Sequence, residues 1–375
     1  MKKILIILIV MLILSGCSSQ SITISQPPAT GSQPTVSVSA PTDSSGAGQT
    51  ETTERIQRTL GDNTFIDAEV KIPVNLDIPA IDAELVPFDG DKIKKALFNN
   101  EVTTEKDDPH GNLITNQDGN SFCSFYTNDK DSCLHFRTKD VDYILDIFRW
   151  KSDQFPDNLS LFTNDTEFDF ASREDAINAV TNVSKMLGVE YIGNASVYAL
   201  DHQTLQSVEK QVEDSGEHTE YKFKEQWSKE DDCYFVMMDC VFQNIPVNTM
   251  DTVLSNNDLL IGTEIAAIYS KNGFEYFEVS NFYSQKNMSE PTPIVSLDDA
   301  IGIVTAKFES IITTSKYTIT GIELKYVPQF KDKSHTSIQL IPVWYFTVDE
   351  SYVKGGSTFE TTLRFMLDAY TGKEM

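Results

Sequence analysis

The sequence predicts an α+β protein: tandem units of one helix packed on a small antiparallel sheet, preceded by a β-rich α+β region. Three observations predict it. The nine-residue segment Ser172 to Val180 returns as Ser296 to Val304, with five identical positions and a sixth that is acidic in both. Stretches with the two-residue period of a strand follow each copy. Upstream, Ile66, Ala68, Val70, Ile72, Val74, Leu76 and Ile78 alternate with polar residues and prolines.

Taken from the start of the chain, Lys2 and Lys3 precede an unbroken apolar run from Ile4 to Leu14. As a helix that run is about 16 Å long, half of a bilayer core, so it reads as a signal peptide and not as a span. Ser15 and Gly16 lead into Cys17, which resembles the bacterial lipobox. The resemblance implies cleavage after residue 16 and a diacylglycerol (palmitate-type) anchor on Cys17, on the extracytoplasmic face of the cell membrane. Residues 17–55 are rich in Ser, Thr, Pro and Gly. Such a segment buries too little apolar surface to offset its ordering entropy, so it is expected to be a disordered tether with a reach of about 35 Å.

Residues 56–170 form the β-rich region. The 66–78 alternation predicts one long half-buried strand, and Pro73 and Pro79 place it at a sheet edge. Asp89 to Phe98 reads as a short amphipathic helix, and 121–150 as a meander of three strands ending at Trp150. Within it, a three-residue loop at Thr127-Asn128-Asp129 would set Cys123 opposite Cys133, within disulfide distance; two free thiols are the alternative. Cys233 and Cys240 share one strand, about 23 Å apart, and cannot pair with each other.

Residues 171–284 and 285–375 are the two expected units. Each opens with a serine N-cap and acids in the first turn, where the helix dipole favours negative charge. Apolar residues then recur at helical spacing: Ile177, Val180 and Leu187 in the first, Ile301, Val304 and Phe308 in the second. Strands are expected at Tyr234–Phe242 and Ile265–Tyr269 in the first unit. In the second they are expected around Ile322–Tyr326, Ile338–Val348 and Leu363–Leu367. A polar stretch from Gln203 to Asp232 has no counterpart in the second unit.

The order of an SxxDAI helix, the segments Tyr234-Phe-Val and Gln243-Asn-Ile-Pro-Val247 or Leu340-Ile-Pro-Val-Trp-Tyr-Phe346, and Leu367-Asp-Ala-Tyr-Thr-Gly-Lys-Glu374 resembles PepSY-type domains. It is also similar to extracytoplasmic regulatory proteins of the YycH/YycI kind, and to uncharacterised lipoproteins of Gram-positive, clostridium-like bacteria. The likeness covers residues 170–375. It implies a modulator of a sensor kinase or peptidase, and it carries over no catalytic residue.

Charge narrows the function classes. Loss of Lys2 and Lys3 from the 30 basic residues leaves 28 against 56 acidic ones, a net charge of −28. That disfavours nucleic acid and anionic lipid surfaces as partners. His110, His135, His202, His218 and His335 are isolated in sequence and form no HExxH, and no GxSxG or CxxC accompanies them. Asn116, Asp118 and Asn120 lack the glycine and closing glutamate of a calcium loop. Gly46 to Thr50 lacks the lysine of a phosphate loop. Ser351 and Lys354 match SxxK, but outside the helix that chemistry needs. The expectation is therefore a non-enzymatic surface lipoprotein, without metal or cofactor, that binds another surface or membrane protein. A lipoprotein holding a peptide or glycan between its units is the alternative.

Overall fold

Strand-forming patterns dominate the chain. In a computed structural model, 51% of the described residues lie in strands and 21% in helices. The structure describes residues 51–375 apart from 100, 109–110, 129, 149–158, 163–165, 216–222, 225, 250–251, 254–258, 261, 312 and 332–336. Cys17, the apolar run and the tether to residue 50 lie outside the described residues, as do His110, Trp150, His218 and His335, while residues 51–55, expected in the tether, belong to the strand Glu51–Thr59 paired with Thr64–Pro73.

Two large sheets carry the architecture. The larger has nine strands, all antiparallel, in the order Ile245–Pro246, Cys233–Phe242, Glu264–Ser270, Gly273–Ser280, Ser132–Thr138, Ser121–Thr127, Gly111–Asn116 and Thr103–Asp108. Ile192–Leu200 adds alongside Cys233–Phe242. The smaller has seven: Glu51–Thr59, Thr64–Pro73, Lys316–Phe330, Ile338–Lys354, Ile81–Leu85 and Tyr283–Met288, with Ser357–Asp368 pairing Ile338–Lys354. Thr64–Pro73 and Lys316–Phe330 run parallel, and the smaller sheet's other pairings are antiparallel.

Among the described residues five α-helices accompany these sheets: α1 Gly90–Leu97, α2 Asp142–Phe148, α3 Arg173–Leu187, α4 His202–Ser215 and α5 Leu297–Glu309. The main core gathers Ile93 of α1, Ile177 and Val180 of α3 and Ile301 and Val304 of α5 with residues of both sheets, among them Tyr234, Phe277, Ile322 and Trp344. A second core joins Ile144 of α2 and Leu205 and Val208 of α4 to Trp227, Phe235, Ile268 and Tyr276, covering the other face of the larger sheet.

This architecture overturns the expected tandem helix-on-small-sheet units. The two motif helices do start as predicted: Ser172 and Ser296 accept the amides of Asp175 and Asp299, and a capping box closes the first. Each helix is followed by an antiparallel meander, but both meanders are absorbed into larger sheets, in an architecture that includes a curled half-barrel. Strands from 103–138 extend the first, and strands from 51–85 extend the second. Alternation in a sequence marks a strand and its buried face; it carries no label for the partner strand.

Other expectations shift for similar reasons. Thr64–Pro73 is an interior strand with neighbours on both sides, and Pro73 is tolerated because it is the last residue. Ile147 and Phe148 end helix α2, not a third strand. The polar stretch after Gln203 begins with α4, whose narrow apolar stripe includes Leu205 and Val208.

Candidate functional site

A concavity lies where the strand ends of the larger sheet meet the segment after α4. It is a cleft of about 900 Å³. One wall is the turn region Asn120-Ser121 and Thr138 to Val141, continued by Tyr143 and Ile144 of α2. The opposite wall is Phe223, Lys224, Trp227, Glu230 and Asp231, and Ser270, Asn272 and Glu275 of a β-hairpin close one end.

The second wall has little secondary structure, so side chains must hold it. Glu209 on α4, only 5% exposed, accepts hydrogen bonds from the Lys224 amide (2.6 Å) and from the Trp227 indole Nε1 (2.8 Å). The indole is thereby fixed in the second core, and Lys224 Nζ lies 5.1 Å from its ring centre. Ser228 and Asp231 form a capping box around a short 3₁₀ turn. Lys224 pairs with Asp231, and Lys271 with Glu230. Behind this wall, Asp232 accepts from the His202 amide (2.8 Å) and meets His202 Nδ1 at 2.7 Å, while Asp201 caps α4 by accepting from Thr204 N. No serine, threonine or cysteine among the described residues is hydrogen-bonded to His202, so the pair secures the start of α4.

Glu275 sits at the cleft's end with both carboxylate oxygens engaged: Thr138 Oγ1 donates at 2.6 Å, Ser270 Oγ at 2.8 Å and Asn272 Nδ2 at 3.4 Å. Neutral donors fix the carboxylate's position and leave its charge uncompensated. The lining holds four carboxylates, from Asp140, Glu230, Asp231 and Glu275, against the two ammonium groups of Lys139 and Lys224. Such a surface suits a cationic group.

The thiols are set against nucleophilic chemistry. Burial, reinforced by Glu275, Asp232 and Asp231, raises Cys233 well above the ordinary thiol range. Burial is the main cause for Cys240, pushed up to about 12, and for Cys133, pushed up to about 11. Cys123 is raised further still. Neutral thiols of this kind are poor nucleophiles.

Cys123 and Cys133 are both free. The hairpin closes Thr127 against Ser132, one residue more than the three-residue loop, so Cys123 faces Phe136 and Cys133 faces Tyr126. That register puts the two thiols on opposite faces of the sheet. Asp118 and Asn120 form a self-contained turn, with Asp118 Oδ1 accepting Asn120 N at 3.0 Å. Ser351 and Lys354 lie on one strand, which points them to opposite faces. Trp344 is fully buried and donates to Val295 O at 2.9 Å. Asp299 belongs to its helix cap and Asp298 pairs with Arg58 at 3.0 Å. Sequence reasoning missed the cleft. Its one legible trace is Asp231-Asp232, whose two neighbours in space, Lys224 and His202, come from separate segments.

No protein-family model matches the chain, PepSY and YycH models included, and no curated protein matches it. The crystal structure of an uncharacterised protein from Eubacterium rectale is similar in fold, with a TM-score of 0.60 at 17% identity, over 86% of this chain and 93% of that one. At that identity the likeness shows the fold alone.

Proposed function

We propose that the chain is a lipid-anchored extracytoplasmic protein that binds, without catalysing, a basic segment of another surface or membrane protein. The observation that carries the reading is the cleft: about 900 Å³, lined by four carboxylates, of which Asp231 pairs with Lys224 and Glu230 with Lys271, while Asp140 and Glu275 have no ion pair among the described residues. The charge of the whole chain supports it, because a strongly negative protein draws cationic segments toward an acidic concavity. The lipobox-like Ser15-Gly16-Cys17 supports the anchor, and the PepSY-like motif order supports a modulating role.

The test is a thermal titration of the full chain with basic, neutral and acidic peptides of equal length. Native-state binding at a hundredfold excess over Kd adds about 2.7 kcal/mol of stability. The basic peptide is expected to raise the melting temperature, less so at high salt, and Asp140→Lys with Glu230→Lys should abolish the rise. Equal shifts from basic and acidic peptides end the reading, and a shift produced by a neutral oligosaccharide instead moves the assignment to a glycan. Cys17→Ser should release the chain from the membrane fraction; retention there refutes the anchor. A hydrolytic activity lost on one cleft substitution refutes the non-catalytic role.

A further inference from the structure

The strand Ser357–Asp368 has a neighbour on one side only for most of its length. It follows Ile338–Lys354 through a two-residue turn at Gly355-Gly356, both at positive φ (64° and 89°), and the pairing runs from Lys354–Ser357 to Val343–Asp368 without a register break. At its far end the chain terminus covers the free edge: Met375 N donates to Met366 O (3.1 Å) and Asp368 N to Lys373 O (2.9 Å). Even-numbered residues therefore turn their backbone groups outward. The same alternation turns those of Thr358, Glu360, Thr362 and Arg364 outward, where no described strand pairs with them.

Sheet proteins blunt such an edge with prolines, bulges or charges that repel a second strand. Between Thr358 and Arg364 this one has no proline and no bulge, and the two charges there, Glu360 and Arg364, are placed to attract a second copy. Glu360 and Arg364 are exposed, and neither forms an ion pair with another described residue; Arg364 stands beside the Tyr345 hydroxyl. The other long edges differ: Ile192–Leu200 carries no charge of its own, and the Arg173 guanidinium donates to its Val197 carbonyl (2.9 Å). On Glu51–Thr59, Arg55 is tied to Asp67 and Arg58 to Asp298, and on Thr103–Asp108, Glu105 is tied to Lys94.

We infer that the chain forms an isologous dimer by antiparallel pairing of this edge with the same edge of a second copy, in a register centred on Thr362. Two-fold symmetry then places Glu360 opposite Arg364 of the other copy, twice, with Thr362 against Thr362 on the axis. On the opposite face Phe359, half-buried in one copy, comes against Phe365 of the other and extends the apolar layer. Pairing spans residues 359–365 and stops at Met366, whose carbonyl Met375 already occupies. The surface is separate from the acidic cleft, so the dimer and the peptide-binding reading stand or fall independently.

Full chains carrying Thr362→Cys, expressed in cells and oxidised, test the register. Directly opposed residues in such a pair have Cα atoms about 5.5 Å apart, within disulfide range. A covalent dimer on a non-reducing gel, absent from the parent chain, is the expected result. Adding Glu360→Arg sets arginine against arginine, and Arg364→Glu sets glutamate against glutamate. Each should weaken dimerisation at least about tenfold. Co-expressing the two reversed chains restores both opposite-charge pairs and should restore the crosslink between them, which also shows that each variant folds. No crosslink in the Thr362→Cys chain, a crosslink indifferent to charge reversal, or a disulfide to a different protein overturns the inference. Sedimentation of the purified full chain in detergent as a monomer at all concentrations overturns it as well.

Discussion

Glu209→Ala tests what holds the cleft wall. The carboxylate is buried and accepts two hydrogen bonds from a segment that has almost no other regular structure, one from the Lys224 amide and one from the Trp227 indole. A hydrogen bond to a charged group contributes about 1.5–3 kcal/mol, so losing both removes about 3 kcal/mol at the lower end of that range. The indole share is the firmer one, since Trp227 is 7% exposed and its N–H would remain buried without an acceptor. Lys224 is only partly buried, and water can take up its amide. Glu209→Gln keeps one acceptor oxygen and should lose about half as much. Urea unfolding followed by circular dichroism gives the global cost. Hydrogen exchange over 223–231 shows whether the wall opens locally before the sheets do. An unfolding free energy within about 0.5 kcal/mol of the parent, together with unchanged exchange in that segment, refutes the argument.

Four further outcomes follow from the packing. Trp344→Ala empties a fully buried site and strands the Val295 carbonyl, so urea unfolding should show a loss of about 3–5 kcal/mol; a loss below about 1 kcal/mol would mean the site collapses around the gap. Gly111→Ala should cost more than Gly355→Ala in the same assay, because both have positive φ but only at Gly111 does an added Cβ meet a backbone oxygen, Phe125 O at 2.7 Å. Glu309, held below the ordinary glutamate range mainly by the Thr64 hydroxyl and then by the Asn63 and Asp62 amides, favours the fold above its unfolded pKa and loses that contribution as pH falls through the folded one. The parent should therefore lose more stability on acidification than Glu309→Gln, and identical pH profiles would contradict this. Among the four cysteines after Cys17, Cys133 should be the first alkylated in the native protein, with Cys123, Cys233 and Cys240 protected until unfolding; mass spectrometry reads the order directly.

What the sequence disclosed and what it withheld divide along physical lines. Helix starts were legible at Ser172 and Ser296, because a cap is a local hydrogen bond between residues three apart. The apolar phases of Ile338–Lys354 and Cys233–Phe242 were legible as well, because burial on a face imposes a period. Pairing was not: Thr64–Pro73 meets Lys316–Phe330 from the far end of the chain, and nothing in either segment names the other. The strands Thr103–Asp108 and Gly111–Asn116 were invisible, since their composition is mostly polar and they lie at the exposed margin of the sheet. The cleft depends on both failures. Its walls come from turns and a side-chain-held segment, brought together only by the order of strands in the larger sheet.

That strand order also decides how the protein's binding surfaces can be located. A motif repeated in tandem invites deletion of residues 171–375 to see whether binding goes with them. The sheet topology makes such a deletion uninformative. It removes Cys233–Phe242, Glu264–Ser270 and Gly273–Ser280, and leaves Ser132–Thr138 without its inner neighbour. It removes Lys316–Phe330 and Ile338–Lys354 too, stripping Thr64–Pro73 and Ile81–Leu85 of the strands they pair with. The remaining segments would expose the apolar faces of Ile66, Val70 and Leu134, all now buried in the shared core. A fragment in that state loses binding whatever surface carried it, and gains unspecific association through its open edges. Charge reversals at exposed positions such as Glu230 and Glu360 leave both sheets paired and change one surface each. Such substitutions can assign binding to the cleft or to the edge where the deletion cannot.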